Sequence, residues 1–269
     1  MSRALVTGAS RGIGKAIASA LRDAGYEVVA TARKPEALAP QDRIPGITYH
    51  ALDLSDAGSI ESLVRAAGPV DVLVSNAGQS QIGAVEELPV ADVKRLFEAN
   101  LFGALRLIQL FLPGMRQRRS GKVIAIASMA AVSPVPFLSS YSASKAALVA
   151  LMRGLRYEVA PFGITVAVVA PFDIHTTIPL DIRYDSRSAY LPDIATVHEK
   201  RDKALAEAPG AELVGAEVIS ILRARRPGFF HPVGRGAAMN AFLLRHLPAG
   251  AVERIIRRLF GLTRGAASL

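Results

Sequence analysis

The sequence predicts an α/β fold built on a parallel, seven-stranded sheet with helices on both faces. Three observations carry that expectation. Short apolar runs alternate with amphipathic segments of helical period from the first residues onward. The 269 residues are 51% hydrophobic and 20% charged, enough apolar material to bury a sheet on both sides within one unit. A glycine-rich turn, Gly8 to Gly14, separates the first apolar run from the first helical pattern.

The elements follow in order. Apolar runs at residues 4–7, 28–32, 48–53, 70–75, 122–127 and 165–170 are of strand length, and residues 229–233 supply a seventh strand. Helical patterns follow the strands, the longest running from residue 90 to about residue 117 across Pro113. Parallel strands joined by right-handed crossovers bring their C-terminal ends to one edge, where open α/β sheets bind ligands.

Residues 172–210 break this rhythm with Pro179, Pro192, Pro209, Tyr184 and Tyr190, and contain a helical stretch at 195–207. So long an excursion at the ligand edge reads as a segment covering a substrate. Residues 1–235 are read as one domain, and residues 236–269 as a C-terminal amphipathic helical extension. In that extension Val252, Ile255, Ile256, Leu259 and Phe260 share one helical face, with Glu253, Arg254, Arg257 and Arg258 opposite.

The absence of cysteine excludes disulfides, thiolate metal sites and a cysteine nucleophile. His50, His175, His198, His231 and His246 lack metal-ligand spacing, so no metal is expected. The net charge of +9 concentrates in the tail, where six Arg against one Glu after residue 234 leave +5. This local source argues against a nucleic-acid partner and for peripheral contact with an anionic membrane through residues 248–269, or packing of the tail on its own domain or another subunit. The N-terminus has no apolar leader, and no uninterrupted apolar run approaches the roughly 18 residues of a spanning helix. A cytoplasmic location is the expectation.

The turn Gly8, Ser10, Arg11, Gly12, Ile13, Gly14 lies between strand and helix. Glycines there let the backbone approach a pyrophosphate held at the positive end of a helix dipole. The same letters satisfy the Gly-x-Ser-x-Gly elbow of a serine hydrolase with Ser10 as nucleophile, but that elbow normally follows several strands, and His231 or His246 with Asp193 offers only triad order. About 20 residues beyond the glycines an acid would accept from a free ribose 2′-hydroxyl. Here Arg33 and Lys34 stand instead and, with Arg11, suit a 2′-phosphate. The expected cofactor is NADP(H).

The motif running from Thr7 to Gly14, Asp53 with Leu54, Asn76-Ala77-Gly78, Asn100, Ser128, and Tyr141 followed by Lys145 occur in one order and at matching spacings. With these motifs the chain resembles the short-chain dehydrogenase/reductase family as far as about residue 235, which implies a doubly wound Rossmann fold. The end of the second strand and the basic tail most resemble the branch of 17β-hydroxysteroid and retinol dehydrogenases.

Tyr141 and Lys145 are four apart on a predicted helix and share a face. A phenol titrates near 10, and an adjacent ammonium is expected to lower that value so that Tyr141 exchanges a proton with substrate oxygen. Ser128, closing the fifth strand, can hydrogen-bond the same oxygen as charge develops there. The resemblance further implies that Lys145 holds the nicotinamide ribose and that Asn100 anchors a water relaying protons to it. It also implies that Asp53 and Leu54 meet the adenine, and that Asn76, Ala77 and Gly78 lie beside the adenosine ribose. Beyond the sixth strand it implies that Pro171, Ile174 and Thr176 meet the cofactor. Phe172 stands where the family has glycine, which puts an aromatic ring at the pocket wall.

Met129, Val132, Val135, Phe137, Leu138, Phe172, Ile178 and Leu180 are the candidate pocket lining, with few fixed charges, so the expected substrate is a bulky apolar secondary alcohol, ketone or aldehyde. The alternative is a regulator that senses NADP(H) without turnover, which would have no use for Tyr141, Lys145 or Ser128. The resemblance also implies a homodimer or homotetramer paired through the helix that bears Tyr141.

Overall fold

The computed structural model describes residues 1–176, 180–183 and 186–262. Ile178 lies outside the described residues, as does the tail beyond Leu262. Seven parallel strands form the main sheet: β1 (Arg3–Val6), β2 (Glu27–Ala32), β3 (Thr48–Ala51), β4 (Val72–Ser75), β6 (Gly121–Ile126), β7 (Ile164–Pro171) and β9 (Phe230–Val233). Their order is β3-β2-β1-β4-β6-β7-β9. Chain order runs outward in one direction from β1 and in the other from β4, so the crevice of a doubly wound sheet opens between these two strands. β1 is in register with both neighbours, Leu5 facing Val29 on one side and Leu73 on the other.

The period-two alternation of side chains divides the core between two faces. Leu5 and Leu73 join Leu107, Leu148 and Met152, under α2 (Ala57–Ala67), α4 (Gly103–Arg118) and α5 (Ser139–Val159). Ala4, Val6, Val72 and Val74 face the other way, against Ile17 and Leu21 of α1 (Gly12–Asp23) and Val214 and Val218 of α7 (Glu212–Arg223). Helices α1 and α7 meet closely: a Cβ at Gly215 would lie 3.0 Å from the Ala16 carbonyl.

The long helix expected over residues 90–117 is interrupted. α3 (Val90–Phe97) passes into a π-helical turn at Glu98–Phe102 before α4 begins. Asn100 lies on that turn, 1% exposed, and π turns of this kind recur at functional sites. The stretch Val90–Arg118 is long and apolar enough by composition to cross a membrane, yet its buried side chains belong to the core beneath the sheet.

A second feature outside the expected pattern is a small parallel pair, β5 (Ser80–Ile82) with β8 (Leu180–Ile182). It brings residues 180–183 over the C-terminal edge of the main sheet, where Asp181 and Arg183 join one wall of the crevice. Three helices complete that edge: α6 (Leu191–Ala206), α8 (Ala237–His246) and α9 (Ala249–Phe260). α9 packs on α6, where Lys200 Nζ donates to the Leu259 carbonyl at 3.0 Å.

Candidate active site

A groove crosses the strand ends in two stretches of about 510 Å³ and 910 Å³. Both include Ile13, Asn76, Gly78, Gln79 and Ser80 in their walls, so they are continuous at the switch point of the sheet.

The smaller stretch is walled largely by main chain. Gly8 and Gly12 take positive φ of 67° and 53°, which L side chains rarely adopt. A Cβ at Gly14 would fall 2.2 Å from the Gly8 carbonyl oxygen, so the first turn of α1 closes on the strand end only without a side chain. Thr7 and Asn76 hold this turn to β4. Asn76 Nδ2 donates to the Thr7 carbonyl at 2.8 Å, and Thr7 Oγ1 accepts from the backbone N–H groups of Asn76 and Ala77 at 2.9 Å each. Asn76 therefore braces the turn in addition to lining the groove.

The helix beginning there has no side-chain cap and no acid in its first turn, which leaves its N–H groups facing the groove beside Ser10 and Arg11. Arg33, Asp53, Leu54 and Ala77 line the same stretch. Lys34 does not: it sits exposed at the start of the turn Pro35–Ala37, and the expectation that it contributes to the pocket is corrected. Extended backbone sends successive side chains in opposite directions, and only Arg33 faces inward. Ser10 has no histidine beside it in this wall; His231 pairs with Glu217 at 2.7 Å and His246 stacks on Phe242, so a hydrolase triad is not assembled.

The larger stretch is walled by side chains. α5 carries Tyr141 and Lys145 on one face, and β6 ends just before Ser128, which lines the same stretch close enough to the phenol to draw its pKa down. Burial pushes the Tyr141 phenol above its ordinary range, while Ser128 and the charge of Arg201 draw it down. The expected lowering by the Lys145 ammonium is corrected for the chain by itself. Nζ of Lys145 is buried and donates to the Ile126 carbonyl at 3.0 Å, and burial pushes its own value down to about 8.

Asn100 fixes the loop opposite. Its Oδ1 accepts from Gln79 N at 2.8 Å, and its Nδ2 donates to the Gln79 carbonyl at 3.0 Å and to Ser144 Oγ at 2.9 Å. A Cβ at Gly78 would stand 3.0 Å from Asn100 Oδ1 and 3.3 Å from Lys145 Nζ, so glycine keeps the space between the two open to the groove.

Among the expected substrate contacts, Met129, Val135, Leu138 and Phe172 line the cavity. Phe137 does not: at a φ of +62° it turns into a satellite core with Tyr190, and Val132 is exposed. Pro171, Ile174 and Thr176 line it too, and Thr176 faces Gly12 of the glycine turn, 3.5 Å from where a Cβ would be. At the glycine-to-Phe172 departure β7 stays paired, with Phe172 N donating to the Val233 carbonyl at 2.8 Å, and the left-handed conformation falls on Asp173 at a φ of +41°.

The expectation of few fixed charges is also corrected, because α6 brings Arg201 and Asp202 to the wall and Asp173 faces the same space. Sequence reasoning passed over these residues and the inner faces of α8 and α9, which close the far side with Leu243, Leu244, Val252, Ile256 and Phe260. A signal for the second group existed in the apolar stripe of the tail. No local pattern marked Arg201.

A family model described as short chain dehydrogenase matches residues 2–186. The chain belongs to that family. As a short-chain dehydrogenase it is an oxidoreductase working with a nicotinamide cofactor, NAD or NADP. It is similar to dehydrogenase/reductase SDR family member 7B of Bos taurus, with 37% identity over 192 residues that cover 66% of this chain and 59% of the bovine protein. The match thus spans about three fifths of that relative's length. It is similar to retinol dehydrogenase 8 of Homo sapiens, with 35% identity over 210 residues covering 74% and 68%. The structure of a short-chain dehydrogenase from Streptomyces avermitilis superposes with a TM-score of 0.81 at 33% identity, over 98% of this chain and 99% of that one.

The groove fits such a cofactor on its own features. The glycines leave a channel that Cβ atoms would obstruct, and Ser80 Oγ, buried without a hydrogen-bond partner, stands where the two stretches meet. The uncapped N-terminus of α1 supplies donors for a pyrophosphate.

Proposed function

We propose that this short-chain dehydrogenase uses NADP(H) to interconvert a bulky apolar secondary alcohol and the corresponding ketone, or an aldehyde, with Tyr141 as general acid and base. The observation carrying the reading is that Ser128, Tyr141 and Lys145 come together in the wall of one cavity of about 910 Å³. The cofactor supplies or accepts the hydride when bound. Gly8, Ser10, Arg11, Gly12, Ile13 and Gly14 would hold its pyrophosphate, and Gly78, Lys145, Ile174 and Thr176 its nicotinamide end.

Burial keeps the Tyr141 phenol protonated at neutral pH, the form needed to give a proton to a ketone oxygen becoming an alcohol. Ser128 donates to that oxygen as negative charge gathers on it. Lys145, held by the Ile126 carbonyl, keeps its donor at the groove beside Gly78, where a ribose hydroxyl would be gripped. NADP over NAD is supported by Arg33 and Arg11 in the adenosine end of the groove and by the absence of an acid closing β2. An apolar substrate is supported by Met129, Leu138 and Phe172 on one side and the inner faces of α8 and α9 on the other.

The test is NADPH oxidation with a panel of bulky ketones. Wild type should turn over at least one of them, and Tyr141→Phe should lose about 100- to 10,000-fold in kcat while still quenching NADPH fluorescence. A wild type that binds NADPH and reduces no ketone or aldehyde would leave only a cofactor-sensing role.

A further inference from the structure

Several charged side chains line the cavity, and Arg201 is the one that continues the buried stripe of α6. α6 presents a stripe of inward residues, with Ile194 and Val197 fully buried and His198, Arg201, Ala204 and Leu205 half-buried in continuation. Ile194 packs in the satellite core that also holds Tyr141 and Leu138, so this stripe faces the catalytic phenol. Arg201 follows Val197 by four residues and lines the same cavity as Ser128 and Tyr141.

Its neighbours on α6 are engaged. Asp202 takes His198 at 3.2 Å, and Lys200 is bonded to the Leu259 carbonyl. Arg201 itself makes neither a hydrogen bond nor an ion pair among the described residues, although its charge is felt by both the Tyr141 phenol and the Asp173 carboxyl across the cavity. Asp173 faces this guanidinium across the cavity without bonding to it, so the cost of turning the charge inward is only partly offset until a bonded anion meets it there.

We propose that Arg201 is the specificity-determining residue of the cavity, receiving a carboxylate carried close to the reacting carbon of an otherwise apolar alcohol or ketone. This inference rests on the oxidoreductase reading above and narrows its substrate class. The planar guanidinium forms paired, charge-assisted hydrogen bonds with a carboxylate, which a methyl ester of the same shape offers only weakly. The apolar body then lies against Met129, Phe172 and the inner face of α9, while Ser128 and Tyr141 hold the hydroxyl or carbonyl oxygen.

The experiment compares 3-hydroxydodecanoate with its methyl ester, using NADP⁺ and the full chain. Wild type should prefer the acid. Arg201→Gln should reduce the acid-to-ester ratio of kcat/KM by about 10- to 100-fold, mainly through KM, and Arg201→Lys should restore part of it. Equal losses on acid and ester, with a matching loss of NADPH affinity, would make Arg201 a cofactor contact or a structural residue and overturn the proposal. A ratio unchanged by Arg201→Gln would overturn it as well.

Binding in the Tyr141→Phe background separates the two readings. The acid should still bind there, and adding Arg201→Gln should weaken it by a similar factor. Should Tyr141→Phe turn over normally, the general acid/base assignment fails while the Arg201 effect stays readable.

Discussion

The two ends of the groove are made of different material. At the cofactor end the wall is backbone, and its shape depends on side chains that are missing: Gly8, Gly12 and Gly14 each stand where a Cβ would strain the chain or strike a neighbour. At the catalytic end the wall is side chains from separate elements, Ser128 after β6, Tyr141 and Lys145 on α5 and Arg201 on α6, with Asn100 of the π turn bracing the loop behind them. The first end fails when a carbon is added. The second fails when an oxygen or nitrogen is removed, with the fold left standing.

The most forceful way to break this comparison is Gly14→Ala. The added methyl meets the Gly8 carbonyl and Asn76 Nδ2, so the turn must shift. NADPH affinity is expected to fall by more than about 100-fold, with a lower Tm. Fluorescence titration reading wild-type affinity would mean that the backbone at this end yields more easily than its contacts imply.

A smaller effect is expected where the cofactor end does use a side chain. Arg33→Asp should change the NADPH-to-NADH ratio of kcat/KM by about 10- to 100-fold, through loss of the phosphate partner. If both cofactors change equally in steady-state assays, the 2′-phosphate assignment is wrong.

The smallest effect sharpens the view of the catalytic end. Lys145 is pushed down to about 8 from an ordinary value of 10.5 because burial disfavours its charge. Below about pH 8 both folded and unfolded chains carry the proton, and the fold bears the full cost of the buried ammonium. Between pH 8 and 10.5 the unfolded chain binds more protons, so this residue makes stability rise with pH. Lys145→Met should therefore stabilise the chain at pH 7 by about 1–3 kcal/mol, with the gain shrinking toward pH 10. Thermal denaturation at the two pH values checks it, and a destabilised variant would show that the bond to the Ile126 carbonyl outweighs the desolvation.

Much of this was legible before any coordinates. The strand positions, the glycine turn and the shared face of Tyr141 and Lys145 depend on short-range rules, such as a period of two, a period of 3.6 and a spacing of four on one helix face. The misreadings share a cause. Lys34 and Phe137 were assigned by neighbourhood in sequence, but the backbone turned each away from the groove. The π turn under Asn100 and the pairing of β5 with β8 leave no local periodicity, since one is a single extra residue in a helix and the other joins segments about a hundred residues apart.

The sequence alone determined the α/β architecture, the order of its parts and the chemistry that a phenol, an amine and a hydroxyl can perform together. Those follow from residue type and spacing, which the chain carries wherever it goes. Only the tertiary structure decided which charges enter the cavity and how far they shift. Burial and electric field depend on what distant segments bring alongside, and it was the folding of α6 that set Arg201 in the wall of the same cavity as Tyr141.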